Sequence, residues 1–219
     1  KVKPKIYVIL GAPGVGKGTQ ARRLSETFDL PQISTGDILR SMAKEDTPLG
    51  MELRVILSTG ELVSDDVLAR VVEERTSKPD CLNGYILDGF PRTLYQAQLL
   101  ENIAKDQKKE IQVLKLIVPR ASLLKRLTGR RSCPTCGEIY NVYLKPPKKE
   151  GICDLDGTPL VHRSDDRAET VSIRVATYEK LTKPLTDYYL ETGRLVKIQA
   201  ERPVEEVFQE LCAIMTANS

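Results

Sequence analysis

The chain has 219 residues, 41% of them hydrophobic and 29% charged, with a formal net charge of +3. This is the composition of a globular protein with room for one substantial core and a small inserted module. The charge is too small to argue for nucleic acid as a partner, and no apolar run approaches the ~20 residues of a membrane span. The five cysteines are an odd set, with three crowded between Cys133 and Cys153. That pattern suits a metal site in a reducing compartment better than a disulfide framework, so cytoplasm is the expected location. The opening "KVKPKIYVILG" shows no cleavage-type signal region, because its apolar run leads directly into a glycine-rich loop.

In chain order, residues 6–10 are apolar and rich in β-branched side chains, which predicts a buried strand. Gly11, Gly14 and Gly16 then allow a sharp turn. Lys17 opens a helix with Ala21, Leu24 and Phe28 at helical spacing. Strand, glycine loop and helix N-terminus together aim N–H donors, a helix dipole and one ammonium at a single spot, and so predict a phosphate cradle. The spacing Gly11-x4-Gly16-Lys17 fits the Walker pattern, but Gly18 stands where Ser or Thr would bind magnesium, and Thr19 comes one residue late. An ordinary glycine turn is the plain alternative.

Residues 32–34 predict a short second strand. The stretch after it predicts helical pieces broken by Pro48, Gly50 and Gly60, a helical flap rather than sheet. Ser64 or Asp65 is placed to cap the next helix, whose stripe is Val67, Leu68, Val71 and Val72. Residues 85–87 predict a strand ending in the polar loop "DGFPR", and residues 94–105 a helix. Residues 112–119 predict a strong strand, and residues 121–127 a helix with Leu123, Leu124 and Leu127 inward. From Gly129 to Asp166 the pattern changes to cysteines, prolines, glycines and the strand-like "EIYNVYL". Helix resumes at Ala168 with a break expected at Pro184. "RLVKIQA" predicts a last strand. The closing helix has Pro203 in its first turn and Val204, Val207, Phe208, Leu211 and Met215 along one face. Strands alternating with helices predict an α/β fold with a parallel sheet covered on both faces, and ligands at the carboxyl ends of its strands.

Three groups of residues carry chemistry. Asp88, at the end of a buried strand, is placed to hold magnesium directly or through water. Arg92 follows past Phe90 and Pro91, and proline fixes that turn. Arg126, Arg130 and Arg131 precede the cysteine segment, Arg163, Arg167 and Arg174 follow it, and Arg40 lies in the flap. Guanidinium suits bidentate phosphate binding and the charge on a transferred phosphoryl group, so the grouping predicts a closing, charge-neutralising lid. Cys133-x2-Cys136-x16-Cys153-x2-Asp156 has the knuckle spacing of a closed structural zinc site, with Asp154 or His162 as other candidates for the fourth ligand. His162 is the only histidine. No Ser–His or Cys–His pair is evident, and transfer between phosphates needs none.

"GAPGVGKGTQ", "STGDILR", "GELVSDD", "DGFPR" followed by Gln96, "RLTGRR", "RSDDRAETVSIR" and "TYEKLTKPL" occur here in the order found in adenylate kinases. The chain resembles that family over essentially its whole length, above all the long form with a zinc-bearing lid, and Gly18 is itself the family's residue. The resemblance implies a P-loop NTPase-type parallel sheet core (residues 1–33, 64–128 and 167–219), a helical AMP-binding insert (34–63) and a small β lid with zinc (129–166). It implies Mg·ATP + AMP ⇌ 2 ADP, with ATP, AMP and ADP as partners, magnesium and structural zinc as cofactors, and a monomer with no nucleic acid or membrane partner. Gly14, Val15, Gly16, Lys17, Gly18 and Thr19 would cradle the ATP phosphates. Arg126 would lie against the ATP adenine, approached also by Ile139, Tyr140 and the backbone near Arg202. Thr35, Arg40, Glu61, Leu62, Val63, Gly89, Phe90, Pro91, Arg92 and Gln96 would form the AMP site, with Gln96 reading the adenine edge. Arg92, Arg130, Arg163 and Arg174 would surround the phosphates in transfer, and Asp165 and Asp166 would pair with lid arginines. Asp88 would support magnesium through water, and Cys133, Cys136, Cys153 and Asp156 would hold zinc.

Two other readings compete. A GTP-dependent AMP kinase or another nucleoside monophosphate kinase such as a UMP/CMP kinase would share the phosphate machinery, and Thr35 and Gln96 favour AMP as acceptor. A non-catalytic nucleic-acid binder could use the zinc knuckle and a basic patch, but it leaves Lys17, Asp88 and Arg92 unexplained.

Overall fold

The computed structural model describes residues 4–59, 63–162 and 166–217. At its centre is β1 (Lys5–Gly11), buried from Ile6 onward. It pairs in parallel with β3 (Gly84–Asp88) on one side and β4 (Glu110–Ile117) on the other. The outer strands β2 (Gln32–Ser34) and β7 (Leu195–Gln199) are parallel too, giving the order β2-β3-β1-β4-β7. With every strand running the same way, the loops after β1 and β3 leave from one edge of the sheet, side by side.

Side chains alternate across β1, so one strand feeds two apolar layers. Ile6, Val8 and Leu10 pack with Leu87, Val113 and the helices α2 (Thr35–Met42), α3 (Pro48–Thr59), α4 (Asp65–Thr76) and α5 (Leu94–Asp106). Tyr7 and Ile9 face the other way, onto α1 (Lys17–Phe28), α6 (Arg120–Thr128) and α8 (Val204–Ala217). The long helix α7 (Ala168–Glu191) serves both layers. Its Val171 and Val175 belong to the second and its Leu185 and Tyr189 to the first, so its middle passes the carboxyl edge of the sheet. A second, two-stranded antiparallel sheet is made by β5 (Arg130–Ser132) and β6 (Ile139–Asn141) in the cysteine segment. Among the described residues no helix is long and apolar enough to cross a membrane.

Three local expectations are corrected. Pro48 and Gly50 do not break the flap, because both lie inside α3. Pro48 stands at the first helical position, where its missing N–H costs nothing, and Thr47 Oγ1 accepts from the Gly50 N–H at 2.9 Å. Gly50 is there because a Cβ would sit 2.4 Å from the Glu45 carbonyl oxygen and 2.6 Å from that of Met42. Pro184 does not break α7 either. Its ring is exposed, while Thr182, Leu185, Thr186 and Tyr189 are buried around it, and that packing holds the turn that lacks one hydrogen bond. Val204 is exposed rather than part of the buried face of α8, and its carbonyl accepts from Gln20 Nε2 at 3.0 Å. Gly60 lies outside the described residues. The cap of α4 is Ser64, whose hydroxyl accepts from the Val67 N–H at 3.3 Å.

Gly50→Ala gains about 1 kcal/mol of helix propensity, but the forced backbone shift at Met42 and Glu45 outweighs it. We expect a net loss of about 1–3 kcal/mol in urea unfolding. A variant as stable as the parent would show that the insert yields at this point.

Candidate functional site

The loop after β1 meets the N-terminus of α1 at the carboxyl edge of the sheet. Gly14 and Gly16 take positive φ, and Val15 turns inward, its N–H donating to the Ala12 carbonyl at 3.2 Å. Gly16 caps α1 without a side chain, and the first turn holds no acidic residue. The N-terminal amides of α1 are thus left to a ligand, and the helix dipole favours an anion there. Gly16, Gly18 and Thr19 are exposed. Lys17 Nζ lies 2.7 Å from Asp88 Oδ1, so the loop lysine and the carboxylate at the end of β3 face one another directly.

These groups open on a cleft of about 950 Å³. Its walls include Gly14, Gly16, Lys17, Gly18 and Thr19 from the loop, Gly89, Pro91 and Arg92 from the loop after β3, Arg126 from the last turn of α6 and Arg130 from the start of β5. Ile139 and Tyr140 of the small sheet and Arg174 of α7 also face it. Arg126 reaches the Gly14 carbonyl at 3.4 Å and the Ala200 carbonyl at 3.3 Å, linking the phosphate loop to the segment after β7. Arg202, just beyond, donates to the Gln199 carbonyl at 2.9 Å and pairs with Glu210. Asp166 is fully buried. Its two oxygens accept from Arg130 Nε at 2.9 Å and Nη2 at 2.6 Å, and Arg174 approaches the same carboxylate at 4.0 Å. One buried anion therefore holds two of the expected arginines together. Arg163 and Asp165 lie outside the described residues, as do Glu61 and Leu62.

A second group of residues gathers beside Gly89. A Cβ on Gly89 would come within 2.9 Å of Thr35 Oγ1 and 3.4 Å of Arg92 Nη2, so α2 and the "DGFPR" loop meet there. Arg92 Nε donates to the Gly89 carbonyl at 2.9 Å. Phe90 is buried and Pro91 follows it in a cis peptide. Gln96 is buried in the first turn of α5, where Thr93 Oγ1 caps its N–H at 3.2 Å. Arg40 is exposed and pairs with Asp37, and Val63 leads into α4. Thr35, Arg40 and Gln96 lie outside the walls of the main cleft, on this neighbouring branch.

The cysteine segment is built from two copies of one turn. The Gly137 N–H donates to the Cys133 carbonyl at 3.1 Å and the Gly157 N–H to the Cys153 carbonyl at 3.0 Å, with both glycines at positive φ. This brings the ligand atoms of Cys133, Cys136, Cys153 and Asp156 within 4.8 Å of one another. Cys136 and Cys153 Sγ are 3.6 Å apart, and Cys133 Sγ is 3.3 Å from Asp156 Oδ2. Four ligands about 2.3 Å from a zinc ion stand about 3.8 Å from each other, so the quartet fits that metal. The other two candidates are engaged elsewhere: Asp154 Oδ1 accepts from the Lys148 N–H at 2.8 Å, and His162 Nε2 lies 3.2 Å from the Asp166 carbonyl oxygen.

Comparison with known proteins decides the family. The family model described as adenylate kinase matches residues 9–194. The adenylate kinase of Oceanobacillus iheyensis is 47% identical over 95% of this chain and 97% of its own length. That of Clostridium perfringens strain 13 is 44% identical over 98% and 99%, and that of Thermodesulfovibrio yellowstonii 47% identical over 95% and 97%. The chain belongs to the adenylate kinase family.

The structure adds residues to this adenylate kinase cleft that sequence reasoning passed over. Tyr178, Thr182, Asn141 and Lys145 also line it. Tyr178 and Thr182 lie one and two turns beyond Arg174 on α7, and helical spacing from that arginine could have found them. Asn141 Nδ2 donates to the Arg126 carbonyl at 2.8 Å, while its Oδ1 accepts from the N–H groups of Tyr143 at 2.9 Å and Leu144 at 3.2 Å. It fastens the small sheet to the end of α6, and nothing in its sequence surroundings signals that. Asp65 read only as a helix cap, yet its side chain reaches Gln96 across 31 positions of sequence.

Removing the buried carboxylate tests how firmly the two arginines are held. Asp166→Ala loses charged hydrogen bonds, while the guanidinium groups it leaves are part exposed and can hydrate. We expect about 2 kcal/mol less stability in denaturant unfolding. A loss under about 0.5 kcal/mol would mean that the fork adds nothing.

Proposed function

We propose that this chain catalyses reversible phosphoryl transfer from Mg·ATP to AMP, giving two ADP. The observation that carries the reading is the cleft itself. An uncapped helix N-terminus and Lys17 form one wall, and Arg92, Arg126, Arg130 and Arg174 converge on the same space from other elements. Adenylate kinases use ATP, AMP and ADP, and the motifs that carry the resemblance supply both a donor and an acceptor side.

Each residue's part follows from its place. Gly14 to Thr19 would hold the donor phosphates by backbone N–H groups, with Lys17 as a mobile point charge. Arg126, Ile139, Tyr140 and the backbone near Arg202 would enclose the donor base. Thr35, Arg40, the segment 61–63, Gly89 to Arg92 and Gln96 would hold AMP. Arg92, Arg130, Arg163 and Arg174 would neutralise charge on the group in transfer. Asp88 would be the carboxylate that holds magnesium through water, and the ion would supply charge neutralisation at the donor phosphates. Asp88 faces Lys17 at 2.7 Å, so donor phosphates that draw Lys17 forward would uncover that carboxylate. The acceptor phosphate is already ionised at neutral pH, so alignment and exclusion of water do the work.

The two inserted regions are anchored differently. Ile38, Met42, Leu49 and Leu53 of residues 34–63 share one apolar cluster with Val8 and Leu87 of the sheet. Residues 129–166 have a small cluster of their own, Cys133, Tyr140 and Cys153 with Leu160 against it. We read the first as an AMP-binding insert rooted in the core and the second as a lid stiffened by zinc on Cys133, Cys136, Cys153 and Asp156.

With ADP and magnesium alone, the purified protein should form ATP and AMP in equal amounts, resolved by ion-exchange chromatography. Lys17→Met should lower kcat by at least about a hundredfold with the fold retained. Activity only with GTP plus AMP would move the reading to the GTP-dependent relative, and no transfer with any nucleotide pair would end it. For the metal, elemental analysis should find a single zinc per chain, and Cys153→Ser should lose it and lower Tm. Full zinc content in Cys153→Ser would overturn the ligand set.

A further inference from the structure

The amide of Gln96 is held from two sides. Its Oε1 accepts from the Arg92 backbone N–H at 2.7 Å, and its Nε2 donates to Asp65 Oδ1 at 2.8 Å. A backbone N–H can only donate and an ionised carboxylate can only accept, so these two partners permit one orientation of the amide. Turned over, it would set its carbonyl against the carboxylate and its NH2 against the Arg92 N–H. Gln96 is 7% exposed, which leaves little room for water to relieve either conflict.

Asp65 is itself well placed for the task. It opens α4, where the helix dipole favours a carboxylate. Its neighbour Asp66 accepts from Tyr95 Oη at 2.8 Å, so the N-termini of α4 and α5 are tied at two successive positions.

An amide carries two donor hydrogens and two carbonyl lone pairs. One of each is already used, so Gln96 offers a ligand one N–H and one lone pair in a fixed order. A 6-aminopurine presents a ring-nitrogen acceptor and an amino donor along its N1–C6 edge. A 6-oxopurine presents the reverse, an N1–H donor and an O6 acceptor. A freely turning amide would suit both. We propose that Asp65 is a specificity-determining positioning residue: by fixing the Gln96 amide it makes the acceptor site choose 6-aminopurine over 6-oxopurine nucleoside monophosphates. This rests on the reading of Gln96 as the acceptor-base contact given under Proposed function.

The test compares kcat/KM for AMP and for IMP, with Mg·ATP as donor, in the parent, Asp65→Asn and Gln96→Leu. Asparagine can donate as well as accept, so it removes the carboxylate's conflict with a turned amide and leaves the Arg92 N–H as the one remaining constraint. The AMP-to-IMP ratio should fall by about tenfold or more in Asp65→Asn, through a higher KM for AMP and a gain with IMP. Asp65→Ser, which can also donate, serves if the asparagine variant folds poorly. A purely structural defect would lower both substrates alike and leave the ratio intact, because each ratio is taken on one sample. If Gln96→Leu collapses the ratio and neither Asp65 variant moves it, the role of Asp65 is overturned while Gln96 still reads the base. If Gln96→Leu leaves the ratio unchanged, the base contact itself fails, and the proposal with it.

Discussion

The structure depends on the burial of β1. A strand paired on both edges and covered on both faces cannot end in solvent at will, and its exit is fixed by the registers with β3 and β4. Gly11 stands opposite Leu116, and Ile9 opposite Asp88. The glycine loop and the aspartate therefore reach the same edge at nearly the same height. That single constraint brings Lys17 and Asp88 into contact without either residue contributing to the core. It also places the uncapped end of α1 at the floor of the cleft, where an anion is the natural partner for amides the helix cannot satisfy itself.

Around that fixed floor the cationic groups come from elements of differing rigidity. Arg92 is supplied by the loop after β3, Arg126 by α6, and Arg174 by α7, which is packed into both apolar layers. Arg130 begins the small sheet and is oriented by the buried Asp166. The group around Gly89 and Gln96 is organised differently, by hydrogen bonds that tie the starts of α4 and α5 together rather than by converging charge.

The parts of the site that could be read in the sequence are those whose chemistry is local. The glycine spacing before Lys17, the "DGFPR" loop and the two cysteine knuckles each specify their geometry within a few residues, so no long-range contact is needed to see them. The strands and most helices were legible for the same reason, since alternation and capping are short-range signals. Pro48, Gly50 and Pro184 misled because each breaks a helix by propensity alone. Here a start position, a close backbone approach and burial on the opposite face decide otherwise. Asp65 and Asn141 were invisible because their partners, Gln96 and the Arg126 carbonyl, are neighbours only once the chain has folded. A polar side chain near a helix cap or in a turn has an ordinary local explanation, and sequence gives no reason to look past it.

The two roots of the cysteine segment are joined at its base. It leaves the core at the end of α6 and returns at the start of α7, and the Arg130–Asp166 fork joins those two points across 36 positions of sequence. Two loosely separate attachments would let the segment twist and splay as well as tilt. Stitched together at the base, it has in effect one attachment to the core, and Arg130 at one root is held in register with Asp166 at the other.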